Sequence, residues 1–185
     1  MEPSDQELLR SCAGSTKSRA LGELYQRHGS AVFGFAFRLC GTRALAEDIC
    51  QEIFARLARR PPDEGTPIRP WLLRATRNLF IDHERRRLLD IDRMRDLALW
   101  PSTSAASPDA AYEGASELGR VERALQRLPV ALREAIALVC MQELSAAEAA
   151  EVLEVSEEAV RQRVARGRAR LRLALKDVGN DEGRK

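Results

Sequence analysis

Between Ser145 and Leu175 the chain reads SAAEAAEVLEVSEEAVRQRVARGRARLRLAL, a stretch with few ways to fold. Ser145 with Glu148 three residues on is a capping-box signature, and it opens a helix whose apolar stripe is Ala149, Val152 and Leu153. Glu154-Val155 makes the turn. Ser156 caps a second helix, with Glu157 and Glu158 in its electropositive first turn. Val160, Val164, Gly167 and Leu171 recur at helical spacing and line one side of it. Arg161, Gln162, Arg163, Arg166, Arg168, Arg170 and Arg172 are left for the other faces. From 156 to 176 seven basic residues stand against two acidic ones, a local net of +5. A short helix, a tight turn and a basic amphipathic helix make the helix-turn-helix plan, in which the second helix enters the major groove. Its opening turns meet base edges, where Arg pairs with guanine and Gln with adenine. Later arginines suit phosphates, which fix position without reading sequence. A solvated surface helix would explain the charge but not the cap, turn and one-sided stripe together.

The net charge of the 185-residue chain is only +2, so a nucleic-acid signal must lie in how charge is distributed. Residues 59–87 hold eight Arg against four acids, a net of +4, while 88–115 hold two Arg against five acids, a net of −3. Two basic blocks therefore flank an acidic one. No apolar run approaches the roughly 18 residues that span a bilayer, and the first residues lack the layout of a secretory signal. Cys12, Cys40, Cys50 and Cys140 are widely spaced with no CxxC pair, which points to reduced thiols in a cytoplasm. No ligand spacing among them or with His28 and His83 calls for a metal, and no cofactor is expected.

Taken in order, Ser4 and Glu7 frame a cap for a short helix over Asp5–Cys12. Helical patterning resumes near Ser18 through Leu21, Leu24 and Tyr25. A second run from Val32 to Cys40, apolar on more than one face, reads as a buried central helix that stops at Gly41. Thr42 starts an amphipathic helix in which Leu45, Ile49, Ile53 (or Cys50 and Phe54) and Leu57 face inward. Residues 61–70, PPDEGTPIRP, form a loop, and Pro70 starts the helix WLLRATRNLFIDHERRR. The pattern weakens after Leu89. Order returns near Ser116, with one helix marked by Val121, Leu125 and Leu128 and another begun by Pro129. The expected fold is all-α: two small helical domains, 1–88 and 116–185, joined by a flexible acidic linker over 89–115, the second domain a helix-turn-helix.

Three blocks together resemble the extracytoplasmic-function (ECF) sigma factors of bacterial RNA polymerase. AEDICQEIF (Ala46–Phe54) is similar to the family's polymerase-binding helix, WLLRATRNLFIDHERRR (Trp71–Arg87) to its −10 element helix, and Leu128–Leu171 to its −35 element domain. They occur in the family's order and cover most of the chain. The resemblance implies an alternative sigma factor, with core RNA polymerase, promoter DNA and an anti-sigma factor as partners. Polymerase would dock on Asp48, Gln51 and Glu52. Asn78 would hold a base flipped out of the −10 element, in a pocket completed by the loop 61–69. Arg74 and Arg77 would reach phosphates, and Trp71 would anchor the core with a secondary role on DNA. Arg161, Gln162 and Arg166 would read the −35 duplex, leaving Arg163, Arg168 and Arg170 for the backbone or for packing. Ala159 departs from the Thr or Ser common there, which removes one phosphate contact.

A stand-alone helix-turn-helix regulator is the alternative, and it would bind a palindrome as a dimer without polymerase. An enzyme has no support: phosphate loop, HExxH and GxSxG are all missing, and neither a small-molecule substrate nor membrane insertion is expected.

Overall fold

The computed structural model describes residues 3–12, 16–96 and 117–181, and every regular element among them is helical. α1 (Asp5–Ser11) is closed by the reciprocal box of Ser4 and Glu7. α2 (Lys17–Cys40) is one helix where the sequence reads as two runs. Gly22, Gly29 and Gly34 do not interrupt it, because a helix interior tolerates glycine at a modest cost and the buried face runs unbroken through Leu24, Val32, Phe35 and Leu39. It stops at Gly41, whose φ of 75° is the left-handed cap conformation that a side chain disfavours. α3 (Arg43–Arg59) buries Ile49, Cys50, Ile53 and Leu57, with Leu45 and Phe54 half-buried at the edges.

α4 (Ile68–Asp96) begins two residues before Pro70 and runs past Leu89. A proline in the first helical turn loses nothing, since those N–H groups have no intrahelical acceptor. The expected linker therefore begins as helix; its remainder, 97–115, lies outside the described residues. α1 to α4 close around Leu24, Phe35, Leu39, Ile53, Leu57, Leu72 and Leu73.

In the second half, α5 (Glu117–Gln126) and α6 (Val130–Ile136) precede a π-helical turn at Ala137–Met141, where Gln142 N–H reaches back to the Ala137 carbonyl at 2.9 Å. α7 (Ala146–Leu153) and α8 (Glu157–Asp181) form the helix-turn-helix. The Ser145–Glu148 box forms as expected. Glu154 supplies a left-handed turn at φ 56°, and Ser156 Oγ accepts from Ala159 N at 3.2 Å. Val160, Val164 and Gly167 are buried. At Gly167 the close approach is required: a Cβ there would stand 2.8 Å from Cγ1 of Ile136 on α6.

The two helical domains expected from the sequence each have their own core, and the halves also pack on each other. α2 meets α5 and α6, and α4 meets α7, so buried apolar residues form one continuous cluster. Polar contacts accompany it: Arg77 on α4 donates to Glu134 on α6, and Gln126 and Arg133 donate to the Arg38 and Leu39 carbonyls at the end of α2.

Gly167→Ala should destabilise the protein by about 1–3 kcal/mol in urea unfolding, because crowding against Ile136 outweighs the better helix propensity of alanine. At Gly22 nothing stands within 4 Å of an added Cβ, so Gly22→Ala should stabilise by up to about 1 kcal/mol.

Candidate nucleic-acid interface

The recognition helix presents what the sequence assigns to it. Arg161, Gln162 and Arg166 are exposed, as are Ala165, Arg168 and Arg170, while Arg163 is half-buried. The acidic first turn does more than cap. Glu157 pairs with Arg161, and Glu158 accepts from Gln162 Nε2 at 3.1 Å, so both side chains are held along the helix before DNA arrives. Arg168 donates to the Cys140 thiol at 3.3 Å.

On α4 the predicted residues separate. Trp71, Arg74 and Asn78 line one hollow of about 380 Å3, with Asn78 exposed at its rim. Its other wall is Arg56, Arg59 and Arg60, from the end of α3, and not the loop 61–69 that the family resemblance implies. The loop is held elsewhere: Gln6 donates to the Thr66 carbonyl and accepts from Gly65 N, and Arg10 pairs with Glu64. Arg56, Arg59 and Arg60 were missed because they end a helix whose other charges face polymerase in the family pattern. Their clustering, ARLARR, was the available signal. Four guanidiniums around an indole and an amide suit an unpaired nucleotide: charge for phosphate, a ring for stacking, an amide for a base edge. Arg77 does not join them. It turns to the second half and donates to Glu134 at 3.0 Å, with its side chain only 16% exposed.

On α3, Asp48 and Gln51 are exposed and Glu52 is half-buried. Glu52 accepts from both Arg56 and Arg59, and the Arg56 hydrogen bond, with the charge of both arginines, holds its carboxyl below the ordinary range. The strip thus adjoins the arginine hollow. Burial raises the thiols of Cys12, Cys40 and Cys50 above the usual range, which disfavours their thiolate forms. Among the described residues no cluster of His, Cys, Asp and Glu could hold a metal ion, and no helix is long and apolar enough to cross a membrane.

Two family models match the chain, Sigma-70 region 2 over residues 24–88 and Sigma-70, region 4 over 118–171. The ECF RNA polymerase sigma factor SigE of Mycolicibacterium smegmatis is 33% identical over 93% of this chain and 69% of its own. The RNA polymerase sigma factor CnrH of Cupriavidus metallidurans is 32% identical over 98% of this chain and its own whole length. The chain belongs to the ECF sigma factor family. Solved structures agree. The sigma factor RpoE of Bartonella quintana, in complex with the anti-sigma factor NepR, superposes with a TM-score of 0.69 at 25% identity, over 84% of this chain and 96% of that one. CnrH bound to the cytosolic domain of CnrY gives 0.68 at 28%, over 94% and 97%. The sigma factor is thus an alternative initiation factor, and a stand-alone regulator is not favoured, since both halves match sigma regions.

In polymerase-bound sigma factor, Arg60→Ala should weaken capture of single-stranded −10 DNA and lower the slope of log K against log salt by about 0.7, the share of one lost single-strand phosphate contact. A titration of binding over a range of salt concentrations reads both effects.

Proposed function

We propose that the sigma factor is a two-point promoter reader. Core polymerase docks on Asp48, Gln51 and Glu52. The module 1–88 then captures the unpaired −10 strand, with Asn78 on an extruded base, Trp71 beside it, and Arg74 and Arg77 on phosphates. The module 116–185 lays α8 in the −35 major groove, where Arg161, Gln162 and Arg166 meet bases and Arg163, Arg168 and Arg170 serve the backbone. The acidic linker over 89–115 holds both modules on one polymerase, so each contact raises the effective concentration of the other. The factor does no chemistry of its own; it works in the cytoplasm, where polymerase is. By likeness to RpoE, solved with the anti-sigma factor NepR, an anti-sigma factor is its proposed regulator.

The observation that carries this reading is the joint exposure of Arg161, Gln162 and Arg166 on the solvent face of α8. Run-off transcription tests it. Core polymerase with the sigma factor should initiate from a discrete set of promoters, and Arg161→Ala or Arg166→Ala should each weaken −35 recognition by about 1–3 kcal/mol while leaving polymerase binding unchanged. Core polymerase that gains no promoter-specific initiation from this protein would contradict it.

A further inference from the structure

The first turn of α8 holds two acids, and each reaches a residue assigned to the −35 bases. The Glu157 carboxylate pairs with Arg161, and Glu158 Oε2 stands 4.0 Å from Nη1 of the same guanidinium. Glu158 Oε1 accepts from Gln162 Nε2 at 3.1 Å. The helix dipole accounts for acids in a first turn, and Ser156 already supplies the cap. It does not account for which side chains those acids hold. Nor is stability the reason: the side chains of Arg161, Glu157 and Glu158 are 60%, 43% and 67% exposed, and ion pairs that wet contribute little to folding. Arg166 lies two turns beyond Glu158, about 12 Å along the axis, and pairs with neither acid among the described residues.

The chemistry of the two readers makes such braces matter. An unbraced arginine swings to the nearest phosphate, which carries a full charge and is the same at every sequence. The guanidinium has five donors in a planar fork, so a carboxylate can hold one edge and leave another for guanine O6 and N7. A glutamine amide has two ends of like shape and opposite hydrogen bonding, and adenine needs them in one order. With one Nε2 hydrogen on Glu158, the second hydrogen and Oε1 of Gln162 remain together for the base.

We propose that Glu157 and Glu158 are specificity-determining residues of the −35 reader. They act by positioning: Glu157 holds the Arg161 guanidinium off the phosphates, and Glu158 fixes the order of donor and acceptor that Gln162 offers. The assignment rests on the reading of Arg161 and Gln162 as base contacts. It gives affinity and discrimination opposite signs. Two carboxylates facing a polyanion weaken binding to every duplex. The promoter recovers that loss through base contacts made without rearrangement, and other sequences do not.

The test is binding of holoenzyme, core polymerase with the full-length factor, to a promoter fragment selected by the wild type and to the same fragment with its −35 element scrambled. Single base-pair changes across the −35 element give the discrimination at each position. Arg161→Ala, Gln162→Ala and Arg166→Ala mark which base pair each residue reads. Glu157→Ala should lower discrimination at the Arg161 base pair. It should also bind the scrambled fragment more tightly, with a slope of log K against log salt steeper by about 0.9, the share of one new duplex phosphate contact. Glu158→Ala should lose about fivefold in discrimination at the Gln162 base pair, the lower end of what a bidentate contact supplies. Glu158→Gln, which keeps an acceptor and drops the charge, should restore it. Glu151→Ala, the same charge change at an exposed position on α7, should leave discrimination unchanged. Discrimination at the Arg166 base pair should hold in all four acid variants. Full discrimination in both Glu157→Ala and Glu158→Ala overturns the proposal, and if Arg161→Ala and Gln162→Ala still lose it, their reading as base contacts survives. If those two variants keep full discrimination, that reading falls and the proposal with it. A loss in Glu158→Ala that Glu158→Gln does not restore, that Glu151→Ala reproduces, or that extends to the Arg166 base pair overturns the positioning role.

Discussion

The C-terminal end of α2 is where the two halves of this molecule become one. The last carbonyls of a helix have no intrahelical donor, and a buried helix end must find them elsewhere. Gly41 turns the chain away in a left-handed conformation, which satisfies one of them through its own N–H to Phe37. The Arg38 and Leu39 carbonyls are answered by Gln126 and Arg133, side chains more than eighty residues further on. Arg133 also gathers the Gln126 and Leu128 carbonyls and the Gln126 side chain, so a single guanidinium ties the turn between α5 and α6 to the end of α2. A cation at that end also suits the helix dipole. Remove these donors and α2 ends in unpaired, half-buried carbonyls. The packing of α5 and α6 on the first half follows from that requirement.

Much of this was legible beforehand. The cap at Ser145, the turn at Glu154 and the stripe of Val160, Val164 and Gly167 follow from spacing alone, because they are local and each depends on residues within a turn or two. The same holds for Ser4 with Glu7 and for the stop at Gly41. What the sequence did not disclose is non-local. Nothing in the strings around Glu134 or Gln142 marks them as seam residues; an acid and an amide on amphipathic helices read as solvent-facing. The π-helical turn at Ala137–Met141 was hidden for the same reason. It adds a residue between α6 and α7, and beyond it Gln142 lies 6% exposed with its amide aimed at α2. The arginine hollow was half visible: Trp71, Arg74 and Asn78 fall on one face of α4 by spacing, but Arg56, Arg59 and Arg60 join them only through the packing of α3 on α4.

This division has a functional side. In the proposed reading, the residues that are exposed, Asp48, Gln51, Arg161, Gln162 and Arg166, would serve partners met as folded, double-stranded or rigid surfaces. Arg77, covered by Glu134 of the second half, would in that reading serve a strand that exists unpaired only once initiation is under way. Chemistry on the two sides matches this ordering. The exposed set uses charge in water, where long-range steering is effective. The covered pair uses charge out of water, where loss of one partner is felt strongly.

The distance between the halves is the quantity on which these ideas converge. Spin labels at Arg19 and Glu154, both exposed and one on each half, report it by pulsed electron resonance. The free factor should give one narrow, short distribution, replaced by a longer one when core polymerase and promoter DNA are added. A broad distribution in the free factor, or the same short distance in a complex that initiates transcription, would contradict the closed molecule as the resting form of this sigma factor.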